Sequence, residues 1–304
     1  MEKEINKNNE AREKRIKFTH YLWALIKEPY VFVAVLFLII LIFSAIFAEL
    51  IVSYDPLRPN IIAARLTPFS ESKGMGGTLN FHWLGTDALG RDMLTRLIYG
   101  ARVSLIVGIS ATAIAGSIGL FLGLISGYYG GVTDYILMRL VDFVLSFPFI
   151  LLALATIAIL QPSLWLIVVL IAFRQWTIYA RIVRGNVLAI RESEYVTSTR
   201  ASGGSDFRII FKHILPNVLS PIIVIASLYL GRLIVIESGL SFLGLGVPPP
   251  TPTWGGLLAE GRSYLYVSWW IVTFPGLAIT ITVLGANLVG DWLRNVLDPR
   301  LRAR

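Results

Sequence analysis

The chain has 304 residues, 55% hydrophobic and 15% charged, with a mean hydropathy of +0.69 and a formal charge of +8. Soluble domains carry roughly 25% charged residues, so this composition excludes an ordinary water-soluble fold, and the absence of cysteine excludes disulfides, thiolate metal sites and cysteine nucleophiles. The basic residues crowd near the ends of apolar segments, which fits the positive-inside rule and speaks against nucleic acid as a partner.

Residues 1–29 hold seven Lys/Arg and no apolar run before Phe18. No small-residue cleavage site follows the next hydrophobic segment, so the stretch is expected to be a cytoplasmic N-terminal tail and not a signal peptide. Val31 to Val52 is almost wholly apolar and long enough for a first span, since a bilayer core needs about 20 helical residues. Residues 53–102 form a polar loop with Pro56, Pro59, Pro68 and the glycine cluster Gly74, Gly76 and Gly77. Its end, LGTDALGRDMLTRLIYGARVSL from Leu84 to Leu105, reads from its residues as an amphipathic lead-in helix. The histidines, His20, His82 and His213, are far apart and read as surface or interfacial groups.

Val103 to Ser126 is the expected second span. Gly108, Thr112 and Gly116 recur every four positions, as do Ala111, Ala115, Gly119, Gly123 and Gly127; such stripes let helix backbones approach closely, inside this chain or against a second one. After a turn at residues 127–134, Leu137 to Leu160 is expected as a third span, kinked at Pro148, with Arg139 and Asp142 as a helix-end pair. Leu164 to Tyr179 with its flanks is the fourth. It carries Arg174, a charge that must face protein, water or the interface, and so serves structure or a substrate path.

Leu219 to Ile236 is the fifth span. Arg232 and Glu237 flank its last apolar run and read either as part of a translocation path or as partners of the first loop. Residues 237–256, ESGLSFLGLGVPPPTPTWGG, are too rich in proline and glycine to span, and are expected outside or dipping back in. Trp269 to Val289 is the sixth span, and a basic tail covers residues 291–304. Six spans put both termini and the segment between spans four and five on one side. Eighteen Lys/Arg fall on that side and seven on the other, which predicts that both ends are cytoplasmic.

The segment between those spans, RESEYVTSTRASGGSDFRIIFKHILPN from Arg191 to Asn217, is polar and basic. From Arg181 to Ala201 only Gly185 interrupts a helical pattern, and Gly203 and Gly204 end it. Ser205 and Asp206 then start a second helix. Its apolar face is expected at Phe207, Ile210, Phe211 and Ile214, and Pro216 is expected to close it.

This segment resembles the cytoplasmic coupling loop of permease subunits of ATP-binding-cassette importers. Their pattern is Glu-Ala-Ala, three residues, Gly, nine residues, Ile, one residue, Leu-Pro. Gly203, Leu215 and Pro216 stand at the expected separations, and Arg200 and Ala201 match the usual filling; Thr197-Ser198-Thr199 replaces the triplet and His213 the isoleucine. Residues 84–105 and 237–256 look like signatures of the dipeptide, oligopeptide and nickel branch. The resemblance covers roughly residues 80–302.

It implies an all-α membrane protein with six transmembrane helices in the type I importer permease fold. The implied organisation is a tail at 1–29, a first helix and external loop at 30–102, a five-helix core at 103–290 holding a coupling loop at 185–217, and a tail at 291–304. Glu194, Ser198, Thr199, Arg200, Ala201, Gly203, Gly204, Ser205 and Asp206 would meet the ATPase, with Arg174, Arg232 and Glu237 as candidates for the translocation path. The implied partners are a second, homologous permease subunit, two ATPase subunits carrying ATP and magnesium, and an extracytoplasmic substrate-binding protein. The cargo would be peptides, with oligosaccharides or nickel as alternatives.

No cofactor is expected in the chain itself. No glycine precedes a lysine anywhere, so the phosphate-binding loop G-x-x-x-x-G-K-[ST] is missing and the chain does not hydrolyse ATP. Neither a G-x-S-x-G elbow nor a metalloprotease His-Glu spacing occurs. A secondary transporter or channel working alone would show internal repeats and a charged midplane site; no repeat is visible, and Arg174 has no acid in its span.

Overall fold

The computed structural model describes residues 25, 27–73 and 79–297. His20, the glycines at 74, 76 and 77, most of the N-terminal tail and the last seven residues lie outside them. The helices are α1 (Pro29–Ile46), α2 (Ala48–Ile51), α3 (Met93–Tyr129), α4 (Gly131–Ser146), α5 (Phe149–Ile159), α6 (Leu164–Arg191), α7 (Glu194–Ala201), α8 (Asp206–Arg208), α9 (Leu215–Phe242), α10 (Trp254–Gly261) and α11 (Trp270–Leu297). A π-helical segment, Ile209–Ile214, joins α8 to α9. An antiparallel hairpin in the first loop pairs β1 (Ser70–Lys73) with β2 (Leu79–His82).

Five helical stretches are long and apolar enough to cross a membrane, and six if the bent pair α4–α5 counts as one. The bend is 79°. Pro148 has no N–H to donate and its ring excludes the preceding turn, so Phe147 is extended at ψ 127° and the third span is broken, not merely kinked. On α1 many of the apolar side chains face outward, with Val33, Ile39 and Ile40 all exposed, as a lipid-facing helix requires.

α3 starts ten residues before the expected span. Asp92 caps it by accepting from the Thr95 amide at 2.8 Å. Its 37 residues make a rod about 55 Å long at 1.5 Å per residue, well beyond the hydrocarbon core of about 30 Å. The boundary drawn at residue 102 therefore falls inside a helix, as the one at 290 falls inside α11. Likewise α9 continues through Glu237 to Phe242, so the first residues of the proline- and glycine-rich stretch are helical.

The main core lies among α3, α4, α6 and α9 and is centred on side chains such as Ile167, Ile171, Tyr179, Val183 and Leu233. The small-residue stripe of α3 is spent within this chain. A Cβ on Gly119 would stand 2.3 Å from the Tyr179 Cβ, and one on Gly123 2.6 Å from the Val183 Cβ. α3 and α6 are thus in close backbone contact from Gly119 to Gly127.

At one end of the bundle the first loop is clamped to α10. Arg96, only 1% exposed, donates to Asp87 at 2.6 Å and to Glu260 at 2.6 and 3.0 Å, and Arg91 joins the same two carboxylates at 2.7 and 2.8 Å. His82 is buried beside Asp92 at 2.8 Å and Ser72 at 2.9 Å, which corrects its assignment to the surface.

Candidate functional site

At the other end, α6 runs straight through Gly185, where a side chain would meet nothing within 4 Å. It stops instead at Glu192, and Ser193, extended at ψ 149°, begins α7. The break differs from the expected one because Gly185 lies on an open helix face. The Ser193 hydroxyl donates to the Ile190 carbonyl at 2.5 Å, a local bond that competes with the helix ladder.

α7 ends in a closed elbow. The Gly204 amide donates to Thr199 O and the Gly203 amide to Arg200 O, both at 3.0 Å, satisfying the last free carbonyls of the helix. Gly203 sits at φ +82°, a conformation that costs any side chain with a Cβ. Ser205 then accepts from the Arg208 amide at 3.4 Å and its carbonyl from the Ile209 amide at 3.0 Å. Glu194, Ser198, Arg200, Ala201, Gly203, Ser205 and Asp206 are all exposed, while Thr199 and Gly204 are half-buried. The structure thus brings all nine expected loop residues onto one short element.

The apolar face of the second helix keeps the expected Ile214, with Ile210 half-buried, but not the two phenylalanines. Ile209 and Ile214, five apart, are fully buried, while Phe207 and Phe211 are exposed and lie against each other with centroids 4.4 Å apart. The π turn is the cause: the Leu215 amide reaches back five residues to Ile210 O, so positions five apart come into line. This widened turn also admits Pro216 at the start of α9, so Pro216 continues the helix and does not close it.

One contact fastens the element itself to the bundle, and two brace the end of α6 that leads into it. Tyr128, at the end of α3, donates to Asp206 Oδ1 at 2.5 Å, and its ring lies 5.7 Å from the Arg200 guanidinium. Arg191 donates to the Tyr128 and Gly127 carbonyls at 3.1 and 3.3 Å, where the C-terminal dipole of α3 favours a cation. Arg184 clasps Asp134 of α4 through two bonds of 2.5 and 2.6 Å, and the Ser126 hydroxyl completes that carboxylate. Tyr128 drew no attention in the sequence because nothing local distinguishes it from the interfacial tyrosines of other helix ends.

The three span charges are placed differently from one another. Glu237 is fully buried and accepts from Ser241 at 2.7 Å, Ser104 at 3.1 Å and Ser238 at 3.4 Å, so it faces neither an open path in this chain nor the first loop. Arg232 is exposed, with its guanidinium 5.5 Å from the Tyr229 ring. Arg174 is half-buried, and its Nε and Nη1 have no hydrogen-bond partner among the described residues. The pairing expected of Asp142 goes to Arg181 of α6 and not to Arg139, which lies over Tyr135 at 5.1 Å. No group of metal-binding side chains occurs among the described residues.

Residues 119–303 match the family described as binding-protein-dependent transport system inner membrane component. The chain is 44% identical over 254 residues to a dipeptide transport system permease protein of Alkalihalophilus pseudofirmus, covering 84% of this chain and 83% of that one. It is 41% identical over 268 residues to a glutathione transport system permease protein of Pectobacterium atrosepticum, covering 88% and 86%. With a probable D,D-dipeptide transport system permease protein of Escherichia coli the identity is 37% over 289 residues, covering 95% and 94%. Among solved structures, the inward-facing MetNI methionine ABC transporter superposes at a TM-score of 0.56 with 21% identity, over 67% of this chain and 97% of that one, and so shares the fold.

Proposed function

Because the chain belongs to the family of binding-protein-dependent transport inner membrane components, we propose that it forms half of the translocation path of an ATP-driven importer whose cargo is peptides. The relatives that carry dipeptides or glutathione support that cargo over oligosaccharides or nickel. A second permease of the same kind completes the path, a binding protein delivers substrate from outside, and two ATPase subunits hold ATP and magnesium. This chain is non-catalytic: it moves when they close. Both termini and the α6–α9 connection face the cytoplasm, in keeping with the charge asymmetry.

The observation that carries the reading is the fastened elbow. A moving ATPase surface displaces a membrane helix only through a stiff element, since a slack loop would absorb the motion. α7, the bonded Gly203–Gly204 turn and the α8–π–α9 helix are stiff, Tyr128 ties Asp206 to α3, and Arg191 and Arg184 brace the preceding α6 against α3 and α4. The residues from Glu194 to Asp206 then form the surface that meets the ATPase.

Gly203→Val tests this directly. No atom lies within 4 Å of its added Cβ, so the penalty is confined to the backbone at φ +82° and amounts to about 1–2 kcal/mol. The spans should insert normally while peptide uptake is lost, either with ATP hydrolysis continuing or with the ATPases released. If Gly203→Val and Asp206→Ala complexes purify with full ATPase content and transport at the parent rate, the loop is not the coupling element.

A further inference from the structure

Arg174 and Arg232 come from different helices and different sequence neighbourhoods, yet reach the same depth. Arg174 is ten residues from the start of α6 at Leu164, and Arg232 ten residues from the end of α9 at Phe242. At 1.5 Å per residue each lies about 15 Å in from the helix ends on that side of the bundle, near the middle of a hydrocarbon core of about 30 Å. The side-chain charges that bear on Arg174 are those of Arg232 and Arg181, both positive. Arg181 is itself paired with Asp142, but neither Arg174 nor Arg232 has an ion-pair partner among the described residues.

The acids of α4 and α9 are committed elsewhere, and none lies in α6. Asp134 serves Arg184, Asp142 serves Arg181, and Glu237 is enclosed by serine hydroxyls. Two guanidinium groups at mid-membrane without a counter-charge are costly, and charges so placed are retained where they face a cavity and a ligand. Their surroundings point the same way. Arg232 lies over Tyr229, whose ring is 5.9 Å from that of Tyr179, and the Tyr179 hydroxyl, the Gln175 side-chain amide and two Arg174 nitrogens are buried donors without acceptors. Buried donors of this kind call for an acceptor that the folded chain does not supply.

We propose that Arg174 and Arg232 form a mid-membrane binding site for the C-terminal carboxylate of the transported peptide, an assignment that rests on the peptide-importer reading. A carboxylate matches the planar guanidinium fork bidentately and neutralises both the repulsion and the missing acceptors. It is also a charged group common to peptides whatever their side chains. A site built for it would hold many sequences with the same grip, and the half-buried Tyr229 ring suits an apolar side chain beside it.

The test uses the complete complex with its binding protein in proteoliposomes, comparing uptake of a tripeptide with that of its C-terminal amide. Because parent and variants share one binding protein, a change in the acid-to-amide ratio reports on the permease alone. Arg174→Gln and Arg232→Gln should each lower the ratio by about tenfold, the scale of one charge-assisted hydrogen bond, with the lysine variants recovering part of it. If a glutamine variant does not insert, Arg174→Lys and Arg232→Lys carry the test, since they keep the charge but lose the fork and should also lower the ratio. An unchanged ratio overturns the site. So does loss of the second permease from purified glutamine variants, which would make these arginines partners of an acid in that subunit. If the parent complex imports neither peptide form, the peptide reading itself fails, and with it the identity of the carboxylate.

Discussion

The Tyr128 hydroxyl at the end of α3 donates to the Asp206 carboxylate at 2.5 Å, joining residues 78 positions apart across the junction of α3 with the α6–α9 connection. Asp206 also opens α8, so the same carboxylate meets a helix N-terminus and a neighbouring helix's last turn. One side chain thereby ties the start of the second loop helix to α3, whose glycine stripe is in backbone contact with α6.

Removing only that hydroxyl should therefore weaken coupling without breaking the fold. Tyr128→Phe keeps the buried ring and its contact with Arg200. Because the Asp206 side of the bond is exposed, the loss should be about 1 kcal/mol. More ATP should be hydrolysed per peptide imported, at unchanged subunit content. A parent-like ratio in proteoliposomes would show that this bond is not needed to hold the loop for coupling.

The clamp of Arg96 and Arg91 on Glu260 should be sensitive to acid. Partial burial pushes the Glu260 carboxyl up, but Arg96 and then Arg91 outweigh it and hold the group below the usual range. A carboxyl depressed on folding stabilises above its unfolded value, about 4.3, and that stabilisation fades as pH falls through the lower folded value. With the side chain 40% exposed, the effect is screened by solvent and modest. Thermal melting of the parent complex between neutral pH and pH of about 3 should show a loss that Glu260→Gln largely removes. Parallel curves would place the acid sensitivity elsewhere.

Sidedness is open to a labelling experiment, since the chain has no cysteine of its own. Ser72 is buried against His82, so exposed Glu71 is the better reporter for the first loop, with Thr251 for the second and Ser205 for the elbow. In intact cells an impermeant thiol reagent should modify Glu71→Cys and Thr251→Cys and spare Ser205→Cys. Modification of the elbow cysteine would reverse the proposed orientation.

What could be read in the sequence was what depends on composition and short-range pattern. The apolar runs marked the spans, the four-residue stripe marked the α3 face that meets α6, and Gly203, Gly204 and Ser205 marked the elbow, because a left-handed turn and a helix cap are local events. Contacts between distant segments were hidden. Arg96 and Glu260 are 164 residues apart, and only the fold makes a buried clamp of them. That the lead-in helix runs on unbroken into the second span was missed, because its turns carry Arg96 and Arg102, which look like residues outside a span until Asp87 and Glu260 are beside the first and Glu49 beside the second. The break at Glu192 rests on a serine side chain competing with the ladder, in a stretch where propensity alone favours a helix.

The π turn was hidden for a different reason: a search for spacings of three and four groups Phe207 and Phe211 with Ile210 and Ile214, and cannot select Ile209 as the partner of Ile214 five residues on. In the structure Ile209 and Ile214 are that pair, both fully buried, and the two phenylalanines are left on the outside. One extra residue in the turn sets this phase, because each residue of an α-helix rotates the face by about 100°. Deleting Lys212, an exposed member of the segment, should convert the turn to α-helix and rotate α8 and the elbow by about that angle relative to α9. Pro216 would then fall in a regular helix whose preceding carbonyl its ring cannot clear, which adds strain of about 3 kcal/mol to the same junction. The expected outcome is a chain that inserts and pairs with its sister permease but no longer binds or responds to the ATPases. Alanine at the same position keeps the residue count and should leave uptake unchanged, which separates the register from the lysine charge. If the deletion variant imports peptide as the parent does, the widened turn plays no part in setting the docking surface.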